Sequence, residues 1–171
     1  LVEATLSDKR NSVVISSTPE AGFTYEPTPV CAGETLVQFT NTTVGSPTLT
    51  YLWDFDDGWS SALENPTHTF AQAGSYEVAL IAFNGCGLDP ATQVVPVHGA
   101  PQQITPSWVP TPPEVGNVVT FTAQASSTLP VVDWAWDFGD GQSGSGPVAQ
   151  HIYAATGTYT VLLTATNECA S

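Results

Sequence analysis

Positive charge is almost absent from this chain of 171 residues. Lys9 and Arg10 stand against 16 acids, for a formal net charge of −14. So few bases exclude a nucleic-acid partner, whose phosphates must be neutralised by Lys and Arg. They also argue against an anionic membrane surface. The balance suits a soluble surface that repels its neighbours, or one that attracts cations. No apolar run reaches transmembrane length, so no membrane insertion is expected. The opening LVEATLSDKRNS lacks the basic-then-apolar form of a signal peptide; an exported protein would already have lost its signal. Cysteine is scarce as well. Cys31, Cys86 and Cys169 include no CxxC pair, which speaks against zinc. One disulfide and one odd thiol, in a secreted protein, is the simplest reading of three cysteines. Neither G-x-S-x-G nor H-E-x-x-H occurs, and no motif places a Ser or Cys beside a His. No enzyme is expected, and no catalytic residue is assigned.

What the chain does contain, it contains twice. WDFDDG at Trp53–Gly58 returns as WDFGDG at Trp136–Gly141, 83 residues on. At the same offset Gly33 matches Gly116, His68 matches His151 and Tyr76 matches Tyr159; Asn84 matches Asn167 and Cys86 matches Cys169. A one-residue slip brings QFTNTT against TFTAQA. Self-similarity at one period over most of the chain means two copies of one module. We place a leader at 1–16, one module at 17–99 and a second at 100–171, joined at His98–Pro101.

Inside each copy the periodicity is that of strands. YEVALIAF (Tyr76–Phe83) and YTVLLTAT (Tyr159–Thr166) alternate, and Gly, Pro, Asn and Ser punctuate the runs every 8–12 residues or so. With 14 Pro and 14 Gly, helix propensity is low throughout. The reading is all-β: two antiparallel β-sandwiches in tandem. Tyr51, Trp53 and Phe55 share one strand face, as do Trp134, Trp136 and Phe138; both stripes are assigned to cores. The Asp-Gly that follows suits a tight turn.

The run W-D-F-x-D-G, H-x-[FY], A-x-x-G-x-Y-x-V, N-x-C resembles the PKD (polycystic kidney disease) domain. Its pieces here are WDFDDG, HTF, AQAGSYEV and NGC, then WDFGDG, HIY, AATGTYTV and NEC. The resemblance implies immunoglobulin-like sandwiches in an extracellular or cell-surface protein. Such modules serve as spacers, adhesion modules or surface layers, and some accompany secreted hydrolases and bind polysaccharide or calcium. The first copy departs from the pattern by carrying Asp56 where the second has Gly139.

Several residues have alternative readings. Asp54, Asp56 and Asp57, and more thinly Asp137 and Asp140, could attract calcium; as acids of a turn they need no metal. No other cofactor is expected. His68 and His151, at equivalent positions, are read as holding a loop, and His98 lies in the linker. Within an immunoglobulin-like module a Cys31–Cys86 disulfide is expected, because each flanks a core strand. Cys169, whose repeat has Glu114 in place of Cys31, would then be free, capped or bonded to another chain. Asn41-Thr42-Thr43 is an N-glycosylation sequon. Trp59 and Trp108 stand outside the repeated stripe and are candidates for stacking on a glycan.

The ends of the chain differ. After Cys86 the first copy continues through the strand-like TQVVPV; after Cys169 only Ala170 and Ser171 follow. The second sandwich therefore lacks its last strand within the chain. The leader carries a similar segment, SVVISSTP. We expect residues from about Val2 to Ser16, with Val13, Val14 and Ile15 as the assembly strand, to complete the second module of a neighbouring copy. Lys9 and Arg10 would then lie against an acidic neighbour. Repeated head to tail, this builds a filament. A longer tandem array, in which the continuation after Ser171 supplies the strand, is the other arrangement. Accessory modules that bind carbohydrate or adhere, within a larger secreted protein or enzyme, are the alternative function.

Overall fold

The computed structural model describes residues 17–45 and 48–169. The described residues contain strands and turns and no helix. In the first repeat the strands are β1 (Phe23–Glu26), β2 (Val30–Cys31), β3 (Val37–Asn41), β4 (Thr50–Asp54), β5 (Ser60–Ser61), β6 (Thr67–His68), β7 (Gly74–Asn84) and β8 (Gly87–His98). In the second they are β9 (Gln102–Val109), β10 (Val118–Ser126), β11 (Asp133–Asp137), β12 (Ser143–Ser145), β13 (Val148–Ile152) and β14 (Leu162–Thr166).

Four sheets result. The first repeat has orders β1-β3-β6 and β2-β8-β7-β4-β5; the second has β13-β10-β9 and β12-β11-β14. The orders correspond once β8 and β2 are removed. Registers repeat as well: β4 meets β7 antiparallel from Thr50↔Phe83 to Asp54↔Ala79, and β11 meets β14 from Asp133↔Thr166 to Asp137↔Leu162. The all-β tandem sandwich is thus as the sequence leads one to expect, and among the described residues the second repeat has no strand matching β8.

The chain divides into two compact units. One comprises the described parts of Leu1–Thr24, Phe39–Pro66 and Val78–Gln93; the other comprises those of Tyr25–Gln38, Thr67–Glu77 and Val94–Ser171. These units cut across the repeats. In the first, Phe23, Phe39, Trp53 and Phe55 pack ring against ring, with Trp53 and Phe55 stacked 6.5 Å apart. In the second, Val119, Phe121, Trp136, Phe138 and Tyr153 make the equivalent cluster, with Trp136 and Phe138 6.4 Å apart.

Each central tryptophan is amphipathic and needs a partner for its N–H. Trp53 Nε1 donates to Leu63 O and Trp136 Nε1 to Gly146 O, both at 2.9 Å. The Gly-x-Tyr motif also has a mechanical reason. The Tyr76 ring lies over Gly74 and the Tyr159 ring over Gly157, where a Cβ would sit 3.5 Å from the ring. The hydroxyls donate back to Gln72 O and Ala155 O at 3.0 Å, as in the tyrosine corner of immunoglobulin-like sandwiches. Tyr51 and Trp134 are half-buried, Trp134 packing against the core cluster, while the other four aromatics of the two stripes are buried.

Candidate functional site

The two repeats differ most where β8 has no counterpart. In the first, β7 is an 11-residue strand, but only Ala79–Phe83 pair with β4; its other neighbour in the sheet is β8. Val95 and Val97 of β8 are 0 % and 4 % exposed. In the second repeat β14 keeps only Leu162–Thr166, the residues paired with β11. Residues 157–161, which match the start of β7, lie outside any ladder. A strand needs a partner for its backbone groups, and among the described residues none is present on that side.

Along this edge runs a groove of about 700 Å³. Its lining includes the buried Val119, Phe121 and Tyr153, together with Pro106, Trp108, Pro113, Glu114, Val115, Gly157, Tyr159 and Val161. The lining is mostly apolar. Val78 is fully buried in the first repeat, whereas its counterpart Val161 is only half-buried. Tyr153 donates to Phe138 O at 3.1 Å. Burial pushes its hydroxyl pKa up, and the charge of Asp140 and the neighbouring Tyr159 add to this.

The stretch at Glu114, which also lines the groove, repeats backbone hydrogen bonds seen at Cys31. Gly33 N donates to Phe70 O at 2.7 Å and Gly116 N to Tyr153 O at 3.0 Å. Glu34 N donates to Cys31 O at 3.3 Å and Asn117 N to Glu114 O at 3.2 Å. Both glycines are left-handed, at φ 73° and 80°. In the first repeat this stretch forms β2, parallel to the end of β8 through Val30↔Val97 and Cys31↔His98.

The disulfide corrects the expectation. Cys31 is bonded to Cys169, with Cα atoms 5.2 Å apart, and Cys86 is an exposed free thiol. Cys31 stands beside the last residue of β8, while Cys86 immediately precedes its first. An extended strand of 12 residues spans roughly 36 Å at about 3.3 Å per residue, far beyond disulfide reach. The bond ties one repeat to the other within the second unit. Beside it, Asn167 Nδ2 donates to Gly99 O at 2.9 Å and to Ser127 Oγ at 3.0 Å, and His98 Nδ1 meets Thr128 Oγ1 at 2.9 Å. These ties to the linker were not anticipated, though the repeated N-x-C was visible.

Four of the five acids offered to calcium serve the turns. Asp54 Oδ1 accepts from Asp56 N, Asp57 Oδ1 from Trp59 N, Asp137 Oδ1 from Gly139 N and Asp140 Oδ1 from Gln142 N, all at 2.9–3.2 Å. Among the described residues no cluster of three or more His, Cys, Asp or Glu with metal-holding geometry is formed. The arrangement does not fit a calcium cage, which needs six to eight oxygens.

His151 does hold its loop: its Nε2 lies 2.8 Å from Asp140 Oδ2, and its ring stacks on Phe138 at 4.3 Å. His68 meets Phe70 edge-on at 4.7 Å. Asn41 ends β3, with its Nδ2 buried and without a hydrogen-bond partner. The nitrogen that would carry a glycan is therefore enclosed. Trp59 is 70 % exposed; Trp108 is 41 % exposed and belongs to the groove, tilted 6.3 Å from Phe121. Lys9, Arg10, Val13, Val14 and Ile15 lie outside the described residues.

The sequence profile of the PKD domain matches residues 16–98 and 104–171. The chain belongs to the PKD domain family. PKD domains are non-catalytic modules. Human polycystin-1 is 34 % identical over 110 residues, covering 60 % of this chain and 2 % of that protein. Collagenase ColQ1 of Bacillus cereus (strain Q1) is 54 % identical over 33 residues, covering 19 % of this chain and 3 % of that protein. The chain thus spans a few per cent of these relatives' length. The solved PKD domain of human VPS10 domain-containing receptor SorCS2 is 22 % identical, covers 56 % of this chain and 89 % of its own, and has a TM-score of 0.40. No helix among the described residues is long and apolar enough to cross a membrane.

Proposed function

We propose that this PKD pair is an extracellular structural element, and that the groove of its second repeat receives a strand from the leader of another copy. The observation that carries this reading is the groove's position: it lies where β8 lies in the first repeat. Aligning the leader on Pro19 with Pro101 sets Val13 and Ile15 at the positions of Val95 and Val97. Two residues apart on a strand, they share a face. The donated backbone would pair with residues 157–161, and the two side chains would enter the apolar lining, as in strand-addition complexes. A head-to-tail contact of this kind does not close, so it propagates into a filament. The disulfide favours an oxidising compartment. Electron microscopy and sedimentation of the chain test this: filaments are expected for the wild type and monomers for Val13→Asp/Ile15→Asp. Filaments from the double variant would overturn the reading.

Exposed Trp59 supports a second reading, an accessory module that contacts polysaccharide within a larger protein. Retention on chitin or cellulose that is lost in Trp59→Ala would favour it.

A further inference from the structure

The hydrogen bonds around the linker recur at the start of the first repeat. Asn84 Nδ2 donates to Ser17 O at 2.8 Å, as Asn167 Nδ2 does to Gly99 O at 2.9 Å. Each asparagine also accepts, through Oδ1, from the cysteine two residues on: Cys86 N and Cys169 N, both at 2.9 Å. The first repeat therefore holds residue 17 as the second holds residue 99. One of these paired thiol positions is bonded to Cys31; the other, Cys86, is exposed and free.

The repeat supplies a rule for what each thiol faces. Cys169 faces position 31 of the repeat before its own, beside His98 at the end of the strand that completes that repeat. Moved back by one repeat, Cys86 faces the same position of whatever repeat precedes it. Resting on the strand-donor reading, that repeat is the second repeat of another copy, where the position is Glu114. Glu114 O accepts from Asn117 N as Cys31 O accepts from Glu34 N, and Glu114 lines the groove. On that reading, Cys86 of one copy would reach the groove that the leader of the same copy enters. We infer that Cys86 of one copy docks against Glu114 of the copy before it, in the relation that Cys169 has to Cys31. The junction within the chain is covalent, and the junction between copies is its non-covalent counterpart.

The experiment is Glu114→Cys in the full chain, at concentrations that give filaments, with oxidised glutathione as the two-electron oxidant. The introduced thiol and Cys86 each lose a proton and together two electrons; the glutathione disulfide becomes two reduced thiols. A non-reducing gel should show a ladder in steps of 17.9 kDa, collapsed by reductant and absent from both the wild type and Glu114→Cys/Cys86→Ser. Filaments without a ladder would overturn this docking and leave the strand-donor reading intact. A ladder that survives Cys86→Ser would also overturn it. Absence of filaments at every concentration would remove both. Should the variant misfold, wild-type filaments treated with carbodiimide and a short maleimide–hydrazide linker should yield the Cys86–Glu114 cross-linked peptide; its absence at full Cys86 labelling counts against the docking.

Discussion

At one point in their WDFxDG turns the two repeats need the same backbone and supply different residues. Gly139 has φ 79° and Asp56 has φ 62°, both left-handed. A Cβ on Gly139 would lie 2.5 Å from Thr160 O and 2.9 Å from Thr160 N. Gly139→Ala should therefore cost more than the roughly 1–2 kcal/mol of a left-handed residue alone, read as a lower urea midpoint. Nearby, burial pushes the Asp140 carboxyl pKa up, but the Gln142 N–H, the His151 hydrogen bond and the His151 charge outweigh it. The carboxyl is held below its ordinary 3.8. A depressed carboxyl contributes stability above its ordinary value and loses it as pH falls through the lowered one. Asp140→Asn should lower the urea midpoint at pH 6 and leave a smaller drop between pH 6 and pH 2. The turn acids were visible in the sequence, but their partners were not, because an Asx turn and a metal loop use the same residue types.

Among the elements, β7 and β14 are the informative pair. Their sequences alternate equally well, and alternation alone would give them equal length. The structure shortens β14 because hydrogen-bond partners, which periodicity does not report, are present among the described residues on one side only. That no described strand of the second repeat matches β8 was legible, since the repeat acts as a ruler. The disulfide was not. Cysteine pairing depends on which end of β8 each residue adjoins, and β2, which places Cys31, has only two residues. A loop of 138 residues closed by this bond should contribute about 5 kcal/mol in the chain-entropy picture. Cys31→Ser should accordingly lower the unfolding midpoint by urea, while Cys86→Ser should leave it unchanged.

For the molecule as a whole, acidity would act against the proposed head-to-tail assembly. A chain with a net charge of −14 repels its copies, and salt screens that repulsion over about 8–10 Å. Assembly should be faster at 0.15 M than at 0.01 M salt, as followed by light scattering. In the proposed assembly the driving force is the groove, whose lining is mostly apolar and beside which, among the described residues, the backbone of 157–161 lies outside any ladder. Amide hydrogen exchange at residues 157–161 measures this most directly. The account predicts slow exchange in the wild type at assembling concentrations and fast exchange in Val13→Asp/Ile15→Asp. Equal, fast exchange in both would contradict it.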